Sequence, residues 1–320
     1  MKNENVFKIG VDIGGTNIAF GLLDPDLKII AKKSVPFPRY DDGTPEKDEK
    51  TVEIIAEQSK DLCMKAKINY DAIALIGICV PGSVDISSGT VIDAYNLGFH
   101  NVPLKQMIEK SAGRPVLLQN DADAAVKAEH RIGALKNHKN GILVTIGTGF
   151  GGGIIINDSL YRGGLGNGIE LGHIQMDVHG EKCTCGRNGC IETLCSASWL
   201  KNQAERLLEK KNAVLENYRE NQSPVIDARA LIECVKTGDK ACKKIWETYL
   251  SNLADALTSL INVLDPEIIA IGGGVSAAGD MLIKPVEKLV MQRCFFKKHA
   301  EIVKAELGND AGMIGSVIGF

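Results

Sequence analysis

Residues 7–24 read FKIGVDIGGTNIAFGLLD, two apolar runs separated by Gly14-Gly15-Thr16. Such runs predict buried strands, and the short glycine-rich link predicts a hairpin between them. Backbone N–H groups in a turn of this kind can cup an anion. Asp12, at the end of the first strand, is placed to hold a magnesium ion against phosphates through water. One such hairpin is equally well a plain turn. Residues 141–157 repeat it, however: GILVTIG (141–147) as a strand, Thr148-Gly149-Phe150-Gly151-Gly152-Gly153 as the turn, and IIIN (154–157) as the returning strand. A duplicated hairpin is far more specific than one, and two of them can grip a polyphosphate from both sides.

Between and beyond the hairpins the chain alternates strands and helices. Residues 28–35 continue the first sheet, and the polar stretch from Pro36 to Lys50 predicts a surface loop. Val52, Ile55, Ala56, Leu62 and Cys63 are spaced for a helix over 51–66. AIALIGICV (72–80) is a buried strand stopping at Pro81-Gly82, at the carboxyl end of a sheet, where ligands bind. A short strand at 115–119 ends in Asn120-Asp121, and a helix runs on to about Arg131. Asp121 thus takes a strand-to-helix corner, open to a cleft, although Asn or Asp at such a corner also serves as a simple N-cap. EIIAIGGG (267–274) is another buried strand, and the bare backbone of Gly272, Gly273 and Gly274 admits either a nucleotide or tight packing. Helices are expected over 196–212, 226–236 and 239–264. In the last, Ile245, Tyr249, Leu253, Leu257, Leu260, Ile261 and Leu264 form a stripe that is core or a dimer face. EIVKAEL (301–307) and a short terminal helix close the chain.

The densest chemistry lies in ELGHIQMDVHGEKCTCGRNGCIE, residues 170–192. His173, Cys183, Cys185 and Cys190 supply one imidazole and three thiols, a complete tetrahedral shell for a structural zinc with no position left for water. The Cys-x-Cys spacing differs from the Cys-x-x-Cys of redox pairs. A metal in this loop would hold Glu170 and Glu192 nearby, as carboxylates presented with His173 to a polar, hydroxyl-bearing ligand. Of the nine cysteines, the remaining six (Cys63, Cys79, Cys195, Cys234, Cys242 and Cys294) are scattered among apolar neighbours, which fits a reducing cytoplasm.

Composition narrows the class. A chain of 320 residues allows two domains sharing a cleft, and 44% hydrophobic with 24% charged residues is ordinary for a globular protein. A net charge of −3 leaves no footprint for nucleic acid or an anionic membrane. There is neither a signal-peptide pattern nor an apolar run long enough to span a bilayer.

Taken together and in order, VDIGGTN, NDADAA, TIGTGFGGG, ELGH with CTCGRNGC and its trailing glutamate, and IGGGVS resemble the ROK family of sugar kinases. The resemblance covers essentially the whole chain and implies an α/β, actin-like (ribonuclease H-like) ATPase fold with two lobes around a central cleft. It implies a small lobe of residues 1–119, against which a C-terminal helix (308–320) packs back. The large lobe, 120–307, would carry the zinc-binding loop 173–190. The activity implied is ATP-dependent phosphorylation of a hexose at its 6-hydroxyl, with glucose first. Fructose, allose, mannose and N-acetylmannosamine are alternatives, and polyphosphate is a weaker candidate for donor.

By position, Asp121 resembles the family's catalytic base. Gly82, Asn120, Glu170, His173 and Glu192 resemble its sugar-binding residues, with His173 using one ring nitrogen on zinc and the other on sugar. Asp12, Gly14, Gly15, Thr16, Thr148 and Gly149 resemble the phosphate and magnesium elements, and Gly272, Gly273 and Gly274 the adenosine side. Ile169 departs from the pattern, since the family usually has a small residue there, and so bears on the shape of the sugar pocket. Some ROK relatives are sugar-responsive repressors, but a first strand beginning at about Phe7 leaves no room before it for a DNA-reading helix-turn-helix. The resemblance also implies a homodimer.

Overall fold

The structure, a computed structural model, describes residues 6–38 and 45–319. β1 (Phe7–Ile13) and β2 (Asn17–Leu23) form the expected hairpin, closed by the Gly14 N–H donating to the Asn17 carbonyl at 2.9 Å. β3 (Ile29–Pro36) pairs antiparallel with β2. Part of the expected loop is helical instead. α1 (Pro45–Lys65) begins inside it, with Glu46 and Asp48 in a first turn where acidic side chains favour the helix dipole. Residues 39–44 of that loop lie outside the described residues.

β4 (Ile73–Val80) runs parallel to β1. A small antiparallel sheet of β5 (Ser83–Asp85), β6 (Thr90–Ala94) and β7 (Phe99–Val102) follows, then α2 (Leu104–Ala112). β8 (Val116–Asn120) lies parallel to β4 and leads directly into α3 (Asp121–Ile132). The large sheet therefore has the order β3-β2-β1-β4-β8.

Gly21, Gly10 and Gly77 stand side by side on β2, β1 and β4, making a trough without side chains across three strands. The terminal helix (Ala311–Gly315) lies in it. A methyl group at Gly10 would run into the Met313 carbonyl, one at Gly77 into the Ser316 carbonyl, and one at Gly21 would come within 2.6 Å of the Met313 sulfur. The same helix meets α3, where Gly315 sits against the Ala124 backbone and Gln119 Nε2 donates to the Gly315 carbonyl at 2.8 Å. The first compact unit accordingly runs to Gly133 and includes 164–167 and the terminal segment from Asn309. α3 falls inside this unit, whereas the reading from sequence drew the division before it, at residue 119.

The second unit comprises Ala134–Gly163 and Gly168–Gly308. β9 (Gly141–Ile146), β10 (Phe150–Ile156) and β11 (Ser159–Tyr161) are joined by β12 (Ile268–Gly272) and β13 (Glu301–Lys304) in the order β11-β10-β9-β12-β13. Here again a hairpin carries an antiparallel third strand on one side and two parallel strands on the other. The duplication thus extends from the hairpin to the whole sheet.

One boundary shifts. Gly151, Gly152 and Gly153 are strand, paired with Thr145, Val144 and Leu143, and only residues 147–149 turn. The missing side chain of Gly152 makes room for a single helical turn, Leu171–His173, lying on the sheet. A methyl group at Gly152 would come within 2.9 Å of Leu171, and one at Gly172 would strike the Phe150 carbonyl.

The helices of this unit are α4 (Ile191–Cys195), α5 (Ala197–Glu209), α6 (Ala213–Asn221), α7 (Ala228–Lys236), α8 (Lys240–Leu264) and α9 (Asp280–Arg293). The α8 stripe is core: Tyr249, Leu253, Leu257, Leu260 and Ile261 are buried, and Ile245 and Leu264 pack partly buried against them. Each fully buried Leu or Ile contributes about 1.5–3 kcal/mol. Trp199 and Trp246 stack on Tyr249 at 6.0 and 5.3 Å between ring centroids. The tight α7–α8 turn brings Cys234 and Cys242 together as a disulfide, with Cα atoms 6.1 Å apart, where the sequence reading left both as scattered thiols. No helix among the described residues is long and apolar enough to cross a membrane.

Candidate active site

In the first unit the expected residues gather at the carboxyl ends of β1, β4 and β8. Asp12 pairs in register with Cys79, and Val80 with Asn120, so the strand ends are level. Burial raises the Asp12 carboxyl, opposed by a hydrogen bond from the Cys79 thiol. Gly312 of the terminal helix makes space for that carboxylate, since a methyl group there would lie 2.9 Å from Asp12 Oδ2. Gly14, Gly15 and Thr16 lie at the hairpin tip, the last two exposed.

Asn120 is the N-cap of α3: its Oδ1 accepts from the N–H groups of Ala122 (2.8 Å) and Asp123 (3.2 Å). Its Nδ2 donates to the Gly82 carbonyl at 2.9 Å. The amide therefore anchors the Gly82 turn to the helix and keeps one N–H for another partner. Gly82 takes φ +90°, and a side chain there would collide with the Asp93 carbonyl. Asp121, the first residue of α3, accepts from the Ala122 N–H at 2.8 Å. Burial raises its carboxyl to about 6, the Ala122 N–H opposes the rise, and the Asp12 charge adds to it. A carboxylate held near 6 beside a second acid suits proton abstraction at neutral pH.

In the second unit, His173, Cys183, Cys185 and Cys190 converge, with all four ligand atoms within 4.8 Å of one another. His173 Nδ1 lies 3.5 Å from the Cys183 sulfur, and the Cys185 and Cys190 sulfurs are 3.6 Å apart. A tetrahedral ion with bonds of about 2.0–2.3 Å sets its ligands roughly 3.5–3.8 Å apart, so the cluster fits one. Left to themselves the thiols differ sharply. The Arg187 backbone N–H draws Cys185 down to about 6, while burial pushes Cys190 up to about 12. A dication makes all three thiolates favourable together.

The loop is knotted by main-chain bonds, Met176 N–H to the Gly189 carbonyl at 2.8 Å and Cys183 N–H to the Arg187 carbonyl at 2.7 Å. Gly186 and Gly189 supply the positive φ its turns need. Because Nδ1 faces the thiols, Nε2 of His173 is the ring atom available to a ligand.

Glu170 is exposed, just before His173, and Ile169 beside it packs partly buried on the core. Glu192 lies in the first turn of α4, two residues after Cys190, and its Oε2 accepts the Phe150 N–H at 3.1 Å. It reaches the turn holding Thr148 and Gly149, where it occupies the space a Gly149 side chain would need.

The three glycines that end and follow β12 divide in role. Gly273 has φ +78°, and a side chain there would strike the Ile146 backbone; a methyl group at Gly272 would come within 3.3 Å of Ala305, so both serve close packing. Gly274 lines a hollow of about 450 Å³ together with Thr148, Ser198, Lys201, Arg229 and Glu233. That volume suits a nucleotide-sized ligand. The last four residues were not foreseen. Helical periodicity marks α5 and α7 as helices, but which polar side chains face a hollow depends on how the helices pack.

The duplicated sheet with a glycine-bearing hairpin in each half is that of the actin-like ATPases. The chain belongs to the ROK family, whose pattern it matches over residues 8–318. It is 33% identical over 311 residues to a glucokinase of Thermotoga maritima, covering 96% of this chain and 95% of that one. A crystal structure of a ROK family glucokinase from Streptomyces griseus, in complex with glucose and AMPPNP, aligns with a TM-score of 0.80 at 32% identity, covering 97% of each chain. A putative xylose repressor of Caldicellulosiruptor is 30% identical over 320 residues, covering 98% of this chain and 78% of the repressor.

Proposed function

We propose that the protein is an ATP-dependent hexose kinase acting on the 6-hydroxyl, with glucose its preferred sugar. The observation that carries this reading is Asp121, a carboxylate raised to about 6 at the open end of β8, beside Asp12. Asp121 takes the proton of the sugar hydroxyl as its oxygen bonds to the γ-phosphorus and the bond from that phosphorus to the β-phosphate bridging oxygen breaks. Glu170, Nε2 of His173, the free N–H of Asn120 and Glu192 bind sugar hydroxyls. The turns at Gly14–Thr16 and Thr148–Gly149 offer backbone donors to the phosphates, and the hollow beside Gly274 takes the adenosine. Asp12 would hold magnesium, and that ion would supply charge neutralisation at the phosphates. His173, Cys183, Cys185 and Cys190 would hold a zinc ion, and their shared ligation would fix the imidazole and the start of α4.

A sugar-sensing regulator is the second reading, and the repressor relative is what favours it. Sensing needs the sugar-binding residues but no base, so Asp121 weighs toward the enzyme. We take the protein to act as a homodimer in the cytoplasm, a compartment that would keep Cys234 and Cys242 reduced. The α8 stripe, being core, is not the dimer surface. The deciding experiment is ADP release from ATP and magnesium against a panel of hexoses and amino sugars. Glucose is expected to give the highest kcat/KM, and absence of ADP release with every sugar would overturn the kinase reading.

A further inference from the structure

Two backbone carbonyls of the turn between β9 and β10 are held from the start of α5. The Ala197 N–H donates to the Gly147 carbonyl at 2.9 Å, and the Ser198 hydroxyl donates to the Thr148 carbonyl at 2.6 Å. In a trans peptide the C=O and the following N–H point in opposite directions. Drawing the Gly147 and Thr148 carbonyls toward α5 therefore aims the Thr148 and Gly149 N–H groups the other way. The Gly147–Gly149 turn needs this control. Thr148 is exposed, and a side chain at Gly149 is excluded by the Glu192 carboxylate, so no packed side chain of its own fixes the Thr148–Gly149 peptide plane. Among the described residues no backbone N–H donates to the Thr148 carbonyl, which leaves the Ser198 hydroxyl as the group that sets it.

We infer that Ser198 is a positioning residue for phosphoryl transfer: its hydroxyl orients the Thr148–Gly149 peptide so that the Gly149 N–H is preset toward the donor phosphates. Donors fixed before the charge develops stabilise it without reorganising, whereas a peptide free to rotate must be ordered in each catalytic cycle. The inference rests on the kinase reading for its consequence in turnover, though not for its effect on nucleotide affinity. Ser198 also lines the 450 Å³ hollow next to Thr148, so its influence falls on the nucleotide and not on the sugar.

The test compares Ser198→Ala, Ser198→Thr and Ser198→Val, the last two alike in shape and differing in the hydroxyl. Steady-state kinetics with ATP and sugar varied separately are paired with calorimetric affinity for a non-hydrolysable ATP analogue. Ala and Val are expected to lose about 2- to 10-fold in kcat/KM for ATP and in analogue affinity, the range for one neutral hydrogen bond. Thr should stay within about twofold of wild type, and KM for the sugar should not move in any variant. Wild-type analogue affinity in Ser198→Ala, equal losses in Thr and Val, or sugar and ATP KM rising by one factor would each overturn the inference. Wild-type protein that binds the analogue but phosphorylates no sugar would fail the kinase reading alone, and the affinity series would still decide the role of Ser198.

Discussion

Glu192 Oε2 accepts the N–H of Phe150 at 3.1 Å, which joins a candidate sugar ligand to the candidate phosphate turn through one carboxylate. Cys190, two residues earlier, belongs to the His173–Cys183–Cys185–Cys190 cluster, so a single short stretch spans the candidate metal, sugar and phosphate elements.

This double duty separates two substitutions. Glu192→Gln keeps an acceptor for Phe150 and should raise KM for the sugar while leaving KM for ATP near wild type. Glu192→Ala leaves the Phe150 N–H, on a buried residue, without a partner, which costs about 1–3 kcal/mol. It should raise KM for ATP as well as for the sugar. Steady-state kinetics decide it, and a Gln variant as impaired toward ATP as the Ala variant would remove the link.

The raised carboxyl of Asp121 sets a pH signature. The base must be ionised to take a proton, so kcat/KM for the sugar should fall tenfold per unit as pH drops below about 6. Stability runs the other way. Between the ordinary value of 3.8 and about 6 the folded protein binds more protons than the unfolded chain, so stability declines as pH rises through that window. Asp121→Asn removes the cost of the buried charge and should gain about 1–3 kcal/mol at pH 7. Denaturant unfolding at pH 4 and pH 7 measures the difference, and an Asn variant no more stable at pH 7 would contradict the burial of this group.

Metal removal tests the cysteine loop. Elemental analysis is expected to find one zinc per chain. Chelation, or Cys185→Ser, should lower Tm by roughly 5–15 °C, since structural zinc contributes folding energy directly. Because α4 begins at the metal cluster, loss of the ion should also raise KM for ATP through Glu192. Zinc-free protein with unchanged Tm would rule the metal out.

The glycine trough makes a prediction about stability alone. Gly77→Ala places a methyl group where the Ser316 backbone now lies, and main chain cannot yield as a side chain can. The terminal helix must lift, at a cost of about 1–3 kcal/mol or more, read by denaturant midpoint. Gly113→Ala, at a helix end with open space around it but φ +66°, should cost about 1 kcal/mol by backbone strain alone.

Features that depend on local pattern were legible in the sequence. The strands of both hairpins, the strand-to-helix corner at Asp121 and the convergence of His173, Cys183, Cys185 and Cys190 are each set by residues close in the chain. Features that depend on register were not. Gly10, Gly21 and Gly77 look like isolated flexible points until pairing aligns them, and only then does the seat of the terminal helix exist. Gly151–Gly153 reads as a turn because glycine is common in turns, yet all three are strand, and Gly152 clears space on it for the segment carrying His173. The polar face of α5 and α7 gave no sign of which side chains would meet a hollow, so Ser198, Lys201 and Arg229 were missed. The short strands β5, β6 and β7 lack strong alternation and went unread.

The most direct test measures ADP release by wild type and Asp121→Asn with glucose, ATP and magnesium, alongside calorimetric glucose binding to both. Wild type is expected to turn over, and the Asn variant to bind glucose within a few-fold of it while losing about 10²–10⁴ or more in kcat. An Asn variant with near-normal kcat, or a wild type that binds glucose and releases no ADP, would contradict Asp121 as the base of a hexose kinase.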